Sequence, residues 1–212
     1  AGNFLQNHDG STAGYRAFAS TGTKVVFNGT GAQTVSFEHP NAGYSRFHDV
    51  DFLSSGTVTF TTDAAFNGDV TVASGSTVTH SSNGADWDVN GDLSVSGGTL
   101  TTKGECDVAG AVSVSNNGAF NAISDYPAFR GTVAIGSGGQ MNAARAYFYS
   151  QLPEVDGGTY LVTTTDVHGD TDLDHDLTLS SLQDLEVHSA AYLEIGGNTL
   201  VVGRNLVSTV TD

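Results

Sequence analysis

Asn67-Gly68-Asp69-Val70-Thr71-Val72-Ala73-Ser74-Gly75-Ser76-Thr77-Val78-Thr79-His80 is followed, 23 residues on, by Asn90-Gly91-Asp92-Leu93-Ser94-Val95-Ser96-Gly97-Gly98-Thr99-Leu100. Both copies carry a glycine, an alternating apolar pair, a second turn and one more apolar position. Period-2 alternation puts Val70, Val72, Leu93 and Val95 on one face of a strand and Thr and Ser on the other. The Gly-Ser and Gly-Gly pairs between them supply turns that need positive φ. The pattern reads as one coil containing two or three short strands, repeated.

Outward from these copies the same phrase recurs at Ala109-Gly110-Ala111-Val112, Arg130-Gly131-Thr132-Val133 and His168-Gly169-Asp170. The glycine steps are 23, 19, 21 and 38 residues, the last being twice 19, so one copy is too degenerate to see. The later pairs are Val112/Val114 and Val133/Ile135, and the single apolar positions are Val78, Leu100, Phe120 and Met141. A period near 20 marks stacked supersecondary units. One coil cannot bury its own apolar row, whereas parallel coils ~4.8 Å apart turn the rows into a continuous column. The expected fold is all-β, a parallel β-helix (β-solenoid) of about ten coils of roughly 20 residues. A β-sandwich would space its strands 8 to 12 residues apart without that super-period. The organisation expected is a single solenoid domain over 1–212, either by itself or as one module of a longer array. The rhythm is interrupted at 124–156 by Tyr126, Pro127, Phe129, Tyr147, Phe148, Tyr149 and Pro153, which predicts an irregular coil or protruding loop there.

Of the 212 residues, 27 are Gly, 18 Asp and only 5 Glu, and 7 Lys and Arg leave a formal charge of −16. Such a chain repels nucleic acid and anionic membranes. It has no apolar run near the ~20 residues of a bilayer span. The shortage of Lys, Arg, Glu and Met and the wealth of Thr, Ser and Val favour strand over helix. One cysteine, Cys106, excludes an internal disulfide and a multi-cysteine zinc or redox motif, and reads as a small buried hydrophobe. The start lacks an initiator Met and a leader-like apolar segment, as in a mature product or a piece of a longer chain. An acidic, lysine-poor, nearly cysteine-free β sequence suits an extracellular or bacterial cell-surface location. The opening Ala1-Gly2-Asn3-Phe4 resembles Gly203-Arg204-Asn205-Leu206, and neither end carries a helix or polar strand that would blunt a coil edge. Open edges recruit strands, so self-association head to tail, or flanking modules of the same chain, are the expected partners.

Lys24-Val25-Val26-Phe27-Asn28-Gly29-Thr30-Gly31-Ala32-Gln33-Thr34-Val35-Ser36, Phe47-His48-Asp49-Val50-Asp51-Phe52, the Asn-Gly-Asp-Val coils and Gly197-Asn198-Thr199-Leu200-Val201-Val202-Gly203 resemble the repeat modules of large secreted bacterial β-solenoid proteins, the filamentous-haemagglutinin-like adhesins and autotransporter passengers. The resemblance covers most of the chain. It implies a right-handed parallel β-helix and a surface role as stalk, fibre or adhesin module, and it implies no catalytic residue.

Several constellations carry possible chemistry. In Asp166-Val167-His168-Gly169-Asp170-Thr171-Asp172-Leu173-Asp174-His175-Asp176, inward Val167, Leu173, Leu177 and Leu179 leave the acids and His168 facing out. Asp170, Asp172, Asp174 and Asp176 are candidate Ca²⁺ ligands, because carboxylates at strand and coil spacing can supply six to eight oxygens. The plainer reading is a solvated acidic face. Asp86, Asp88, Asn90 and Asp92 form a second stripe, and Asp69 and Asp92 occupy equivalent places on successive coils, where like charges either cost stability or indicate a cation. Asp49 and Asp51, with His48 and Arg46 near, are the pair a glycan-cleaving β-helix would need. Basic partners are scarce, so no enzyme is expected, and glycan binding or cleavage is the alternative reading. His8, His39, His48, His80, His168, His175 and His188 show no compact metal-ligand spacing. Trp87, Tyr147, Phe148 and Tyr149 either stack on sugars or fill and cover the solenoid. Outward threonine pairs, Thr57/Thr59, Thr77/Thr79, Thr99/Thr101 and Thr163/Thr165, raise ice binding, but they do not recur at one place on every coil. The expected function is mechanical, with Ca²⁺ as the one candidate cofactor.

Overall fold

A computed structural model describes residues 2–6, 18–188 and 190–209. The described residues form strands joined by turns, with no helix, and every strand pair is parallel. They wind into a β-solenoid of about nine turns. Val70, Leu93, Val112 and Val133 pair residue for residue on successive turns, and Val25 and Val50 extend the same column. A second face stacks Val58, Val78, Leu100, Phe120, Met141 and Tyr160. A third stacks Phe66, Val89, Val108, Phe129, Phe148, Val167 and Val187. The three inward columns make one continuous core. Its first turns are aromatic, with Trp87 only 4.7 Å from Phe66 and 5.1 Å from Phe60 between ring centroids. Cys106 is fully buried, and burial drives its thiol pKa far up, so it stays an inert apolar filler.

The recurring glycine is a corner where backbone meets backbone. A Cβ on Gly131 would sit 2.3 Å from the carbonyl oxygen of Gly110, and one on Gly110 would sit 2.4 Å from that of Gly91. The copy hidden in the sequence is Tyr149-Ser150-Gln151-Leu152: Gly169 approaches the Tyr149 carbonyl, and Leu152 donates to the Asp172 carbonyl at 3.0 Å. Within 124–156 the chain keeps its place in the ladders. Pro127–Phe129, Val133–Ile135 and Gln140–Phe148 pair with their neighbours in register. The rhythm falters because Gln140–Phe148 and Thr159–Val167 are nine-residue strands that run straight through the corner between the second and third faces. Those two strands set up the clusters below.

The two matching tetrapeptides do not share a position. Phe4 pairs with Val35 on the second face, while Leu206 pairs with Leu185 on the third.

Candidate functional site

Outward carboxylates on one corner act as coil-to-coil caps. The Asp49 Oδ1 accepts the Asp69 N–H at 3.1 Å, Asp69 Oδ1 accepts the Asp92 N–H at 2.9 Å, and Asp92 Oδ1 accepts the Ala111 N–H at 2.7 Å. Asp63 and Asp86 repeat the arrangement toward Asp86 and Glu105. The predicted vertical stacking of Asp69 and Asp92 is therefore present, and backbone N–H groups between them offset the like-charge repulsion. The hydrogen bond from Asp69, aided by His48, holds the Asp49 carboxyl below its ordinary value. Asp92→Ala should cost ~1 to 2 kcal/mol, read as a lower urea midpoint, because it orphans the Ala111 N–H in a charge-assisted bond.

Asp88 is different. Burial and then Asp107, Asp86 and Asp63 push its pKa up; burial and then Asp107 and Asp86 raise Glu105, and burial with Asp63 and Asp125 raises Asp86 against the opposing Glu105 N–H. A stripe that resists ionisation is relieved by screening, so 0.5 M NaCl should raise the melting temperature.

Asp49 and Asp51 point outward from Asp49–Phe52, as a catalytic pair would, but each is engaged. Asp49 bonds the His48 Nδ1 at 2.9 Å and Asp51 the Lys24 Nζ at 3.0 Å, while Arg46 turns to the Tyr44 carbonyl. Asp170, Asp172, Asp174 and Asp176 are all exposed. Asp172 and Asp174 line one polar cleft with Glu194 and Asn198. Asp174 accepts from Gln151 Nε2 at 2.9 Å, and Asp176 caps the Thr199 N–H at 2.7 Å. Thr57, Thr77 and Thr99 stack in register over three turns and Thr34, Thr59, Thr79 and Thr101 over four, before Ala119 and Asn121 end the array. Trp87 belongs to the core, and of the tyrosine cluster Phe148 points inward.

A tighter constellation forms where the two long strands stack. The outward column Tyr147, Asp166 and Glu186 runs beside a second, Tyr149, His168 and His188, one step further along each strand. Asp166 is wholly shielded from solvent. Its Oδ1 lies 2.8 Å from His188 Nε2 and 2.9 Å from an Arg145 guanidinium nitrogen, which also reaches Oδ2 at 2.8 Å and Glu186 at 3.0 Å. The rings of His168 and His188 stack at 4.1 Å with 23° between planes. Tyr147 meets His168 edge-on at 4.6 Å, Tyr149 lies 5.5 Å from it, and Arg130 sits 4.8 Å over Tyr149. Burial raises the Asp166 carboxyl against the opposing effects of His188 and Arg145, and burial, then the neighbouring His188 and Arg145, lowers His168. The Nε2 of His168 is buried and has no hydrogen-bond partner among the described residues.

No protein-family model, curated protein or solved structure matches the chain.

The cluster escapes a search for compact motifs because its members sit one coil apart. His168 and His188 are 20 residues apart, as are Asp166 and Glu186. Folding the sequence onto its own period would have superposed them.

Proposed function

We propose that this β-solenoid is a non-catalytic, load-bearing module of an extracellular or bacterial cell-surface protein, a stalk or fibre segment of the kind built by filamentous-haemagglutinin-like proteins, extended end to end by further coils. One observation supports the reading above the rest. Leu177, Leu179 and Leu185 are buried to 2%, 1% and 0% exposure, yet their register partners on the last described turn are not. Leu200 and Val202 are half-buried and Leu206 is 66% exposed. Those side chains occupy the same inward columns and want the same cover, which a further coil supplies through both ladder hydrogen bonds and ~1.5 to 3 kcal/mol per buried side chain. The abundance of outward Asp and Thr and the single buried thiol suit an oxidising, aqueous exterior.

For the chain as it stands the covering coil belongs to a second copy. Sedimentation and negative-stain imaging across a concentration series should show end-to-end rods, and Leu206→Glu should weaken their assembly at least tenfold. A strict monomer at several hundred micromolar would overturn the proposal.

The half-exposed Tyr126, Tyr147 and Tyr149 beside Arg130 favour the second reading, a glycan-binding or glycan-cleaving β-helix. Release of reducing ends from an acidic polysaccharide would replace the first reading with that one. Calcium binding belongs to the proposal at Asp172 and Asp174 with Glu194. Millimolar CaCl₂ should then raise the melting temperature beyond NaCl of equal ionic strength, and equal shifts would reduce the stripe to a solvated face.

A further inference from the structure

We infer that Asp166, His168 and His188 form a binding site for one divalent first-row transition ion of the Zn²⁺ or Cu²⁺ type, independent of the mechanical role. One ligand atom from each residue lies within 4.8 Å of the other two. Among the described residues these three are the sole group of three or more His, Cys, Asp or Glu to converge so closely. Tetrahedral ligation with metal–nitrogen and metal–oxygen bonds of ~2.0 to 2.1 Å needs ligand atoms ~3.3 Å apart. The 2.8 Å contact between Asp166 Oδ1 and His188 Nε2 has to open by about half an ångström, the ion taking the place of the proton now shared between them.

Two features point to an ion rather than to a purely structural cluster. The first is the buried Nε2 of His168, which has no hydrogen-bond partner among the described residues and belongs to a ring stacked on that of His188. The second is the support around the carboxylate. Arg145 holds both Asp166 oxygens, Oδ1 at 2.9 Å and Oδ2 at 2.8 Å, and bridges to Glu186, so the carboxylate is oriented by an outer partner while Oδ1 also meets His188. The Arg145 charge does not exclude a cation. Asp166 and Glu186 together carry two negative charges against its one, in a chain whose formal charge is −16. His168 and His188 are only partly covered, which leaves an entry path and at least one coordination position for water or an outside ligand.

Two imidazoles decide the class of ion. Ca²⁺ and Mg²⁺ take oxygen, while imidazole suits Zn²⁺, Cu²⁺ and Ni²⁺. The site is therefore distinct in chemistry from the exposed Asp170, Asp172, Asp174 and Asp176 carboxylates, which offer oxygens alone.

Titration of the full chain with ZnCl₂, followed calorimetrically in 0.5 M NaCl to suppress diffuse association, should give one ion per chain, with Ca²⁺ unable to compete. His168→Ala should weaken Zn²⁺ at least tenfold, since even outer-sphere changes at such sites cost ten- to a hundredfold. That variant is chosen first because the ring nitrogen has no hydrogen bond to lose. His188→Ala should do the same where it folds. A second readout needs no variant: Zn²⁺ should move the imidazole NMR signals of His168 and His188 and leave those of His48, His80 and His175 in place. Zn²⁺ binding no tighter than Ca²⁺, an affinity within twofold of the parent in His168→Ala, or shifts confined to other histidines would each overturn the assignment.

Discussion

Gly131→Ala should destabilise the solenoid by ~3 kcal/mol, near the upper end for a single inserted methyl. The new Cβ would lie 2.3 Å from the Gly110 carbonyl oxygen, 2.6 Å from its carbon and 3.1 Å from the Ala111 nitrogen. All three are backbone atoms, so no rotamer change relieves the clash. The coils have to separate, and the bonds most exposed to that separation are Val112 N–H to Thr132 carbonyl at 2.8 Å and Arg130 N–H to Val108 carbonyl at 3.0 Å. Because each turn is stabilised by its two neighbours, a loosened interface is felt on both sides of the substitution. Gly197→Ala is the matched control. It adds the same methyl to a turn where nothing lies within 4 Å, and its effect should stay within ~0.5 kcal/mol. Urea unfolding reads both as midpoints, with an unchanged slope confirming that stability alone moved. Equal midpoints for the two variants would mean that the corner glycines do not carry the close stacking.

Those same glycines explain how much of the fold was legible. A corner that tolerates no Cβ imprints glycine once per turn, so Gly68, Gly91, Gly110 and Gly131 announce the period, and the alternating pairs after them announce the inward columns. Where the corner instead receives a serine hydroxyl, as at Ser150, which bonds the Arg130 carbonyl at 2.7 Å, the signal disappears although the coil persists. The stretch 124–156 looked disruptive for a related reason. Pro127, Phe129 and Phe148 are large inward residues on the third face, and two strands that omit a turn also omit its glycine. Candidate sites were harder to see, since side chains that touch across coils are about 20 residues apart and share no motif. The Asp49–Asp69–Asp92 ladder was visible as a recurrence, but its physical cause, the backbone N–H of the next coil, depends on corner geometry that residue types do not encode. The Asp166, His168 and His188 cluster needed both the register and the unbroken nine-residue strands before its members met.

The stability of the parent protein should fall as pH drops from about 6.5 to about 4, and His80→Leu should remove the His80 share of that fall, leaving the smaller one that His168 contributes with the same sign. His80 follows Phe60 in an inward column and is 1% exposed, with Phe60 at 6.1 Å and Trp87 at 5.7 Å between ring centroids. Its Nδ1 accepts a long 3.4 Å bond from the Lys103 N–H, and its Nε2 has no partner. Such a place holds a neutral ring and penalises a charged one, so burial lowers the pKa from 6.5 to about 4. Above pH 6.5 the group is neutral in both folded and unfolded chains and costs nothing further. Between 6.5 and 4 the unfolded chain binds the proton that the folded one refuses, and unfolding gains ~3 kcal/mol across that window. Asp49 acts in a lower window: its pKa is depressed in the fold, so its contribution is present above about 3.8 and is lost only as pH falls below that. The raised acids Asp86, Asp88 and Glu105 act with the opposite sign, stabilising as they protonate. All of these remain in His80→Leu, so subtracting the variant's pH–stability curve from the parent's isolates the histidine. The two proteins should differ little at pH 7, where leucine replaces a ring of similar bulk, and His80→Leu should be the more stable by ~3 kcal/mol near pH 4. Parallel curves would show that the proton reaches His80 without unfolding the column, and that the interior around Phe60 and Trp87 admits water.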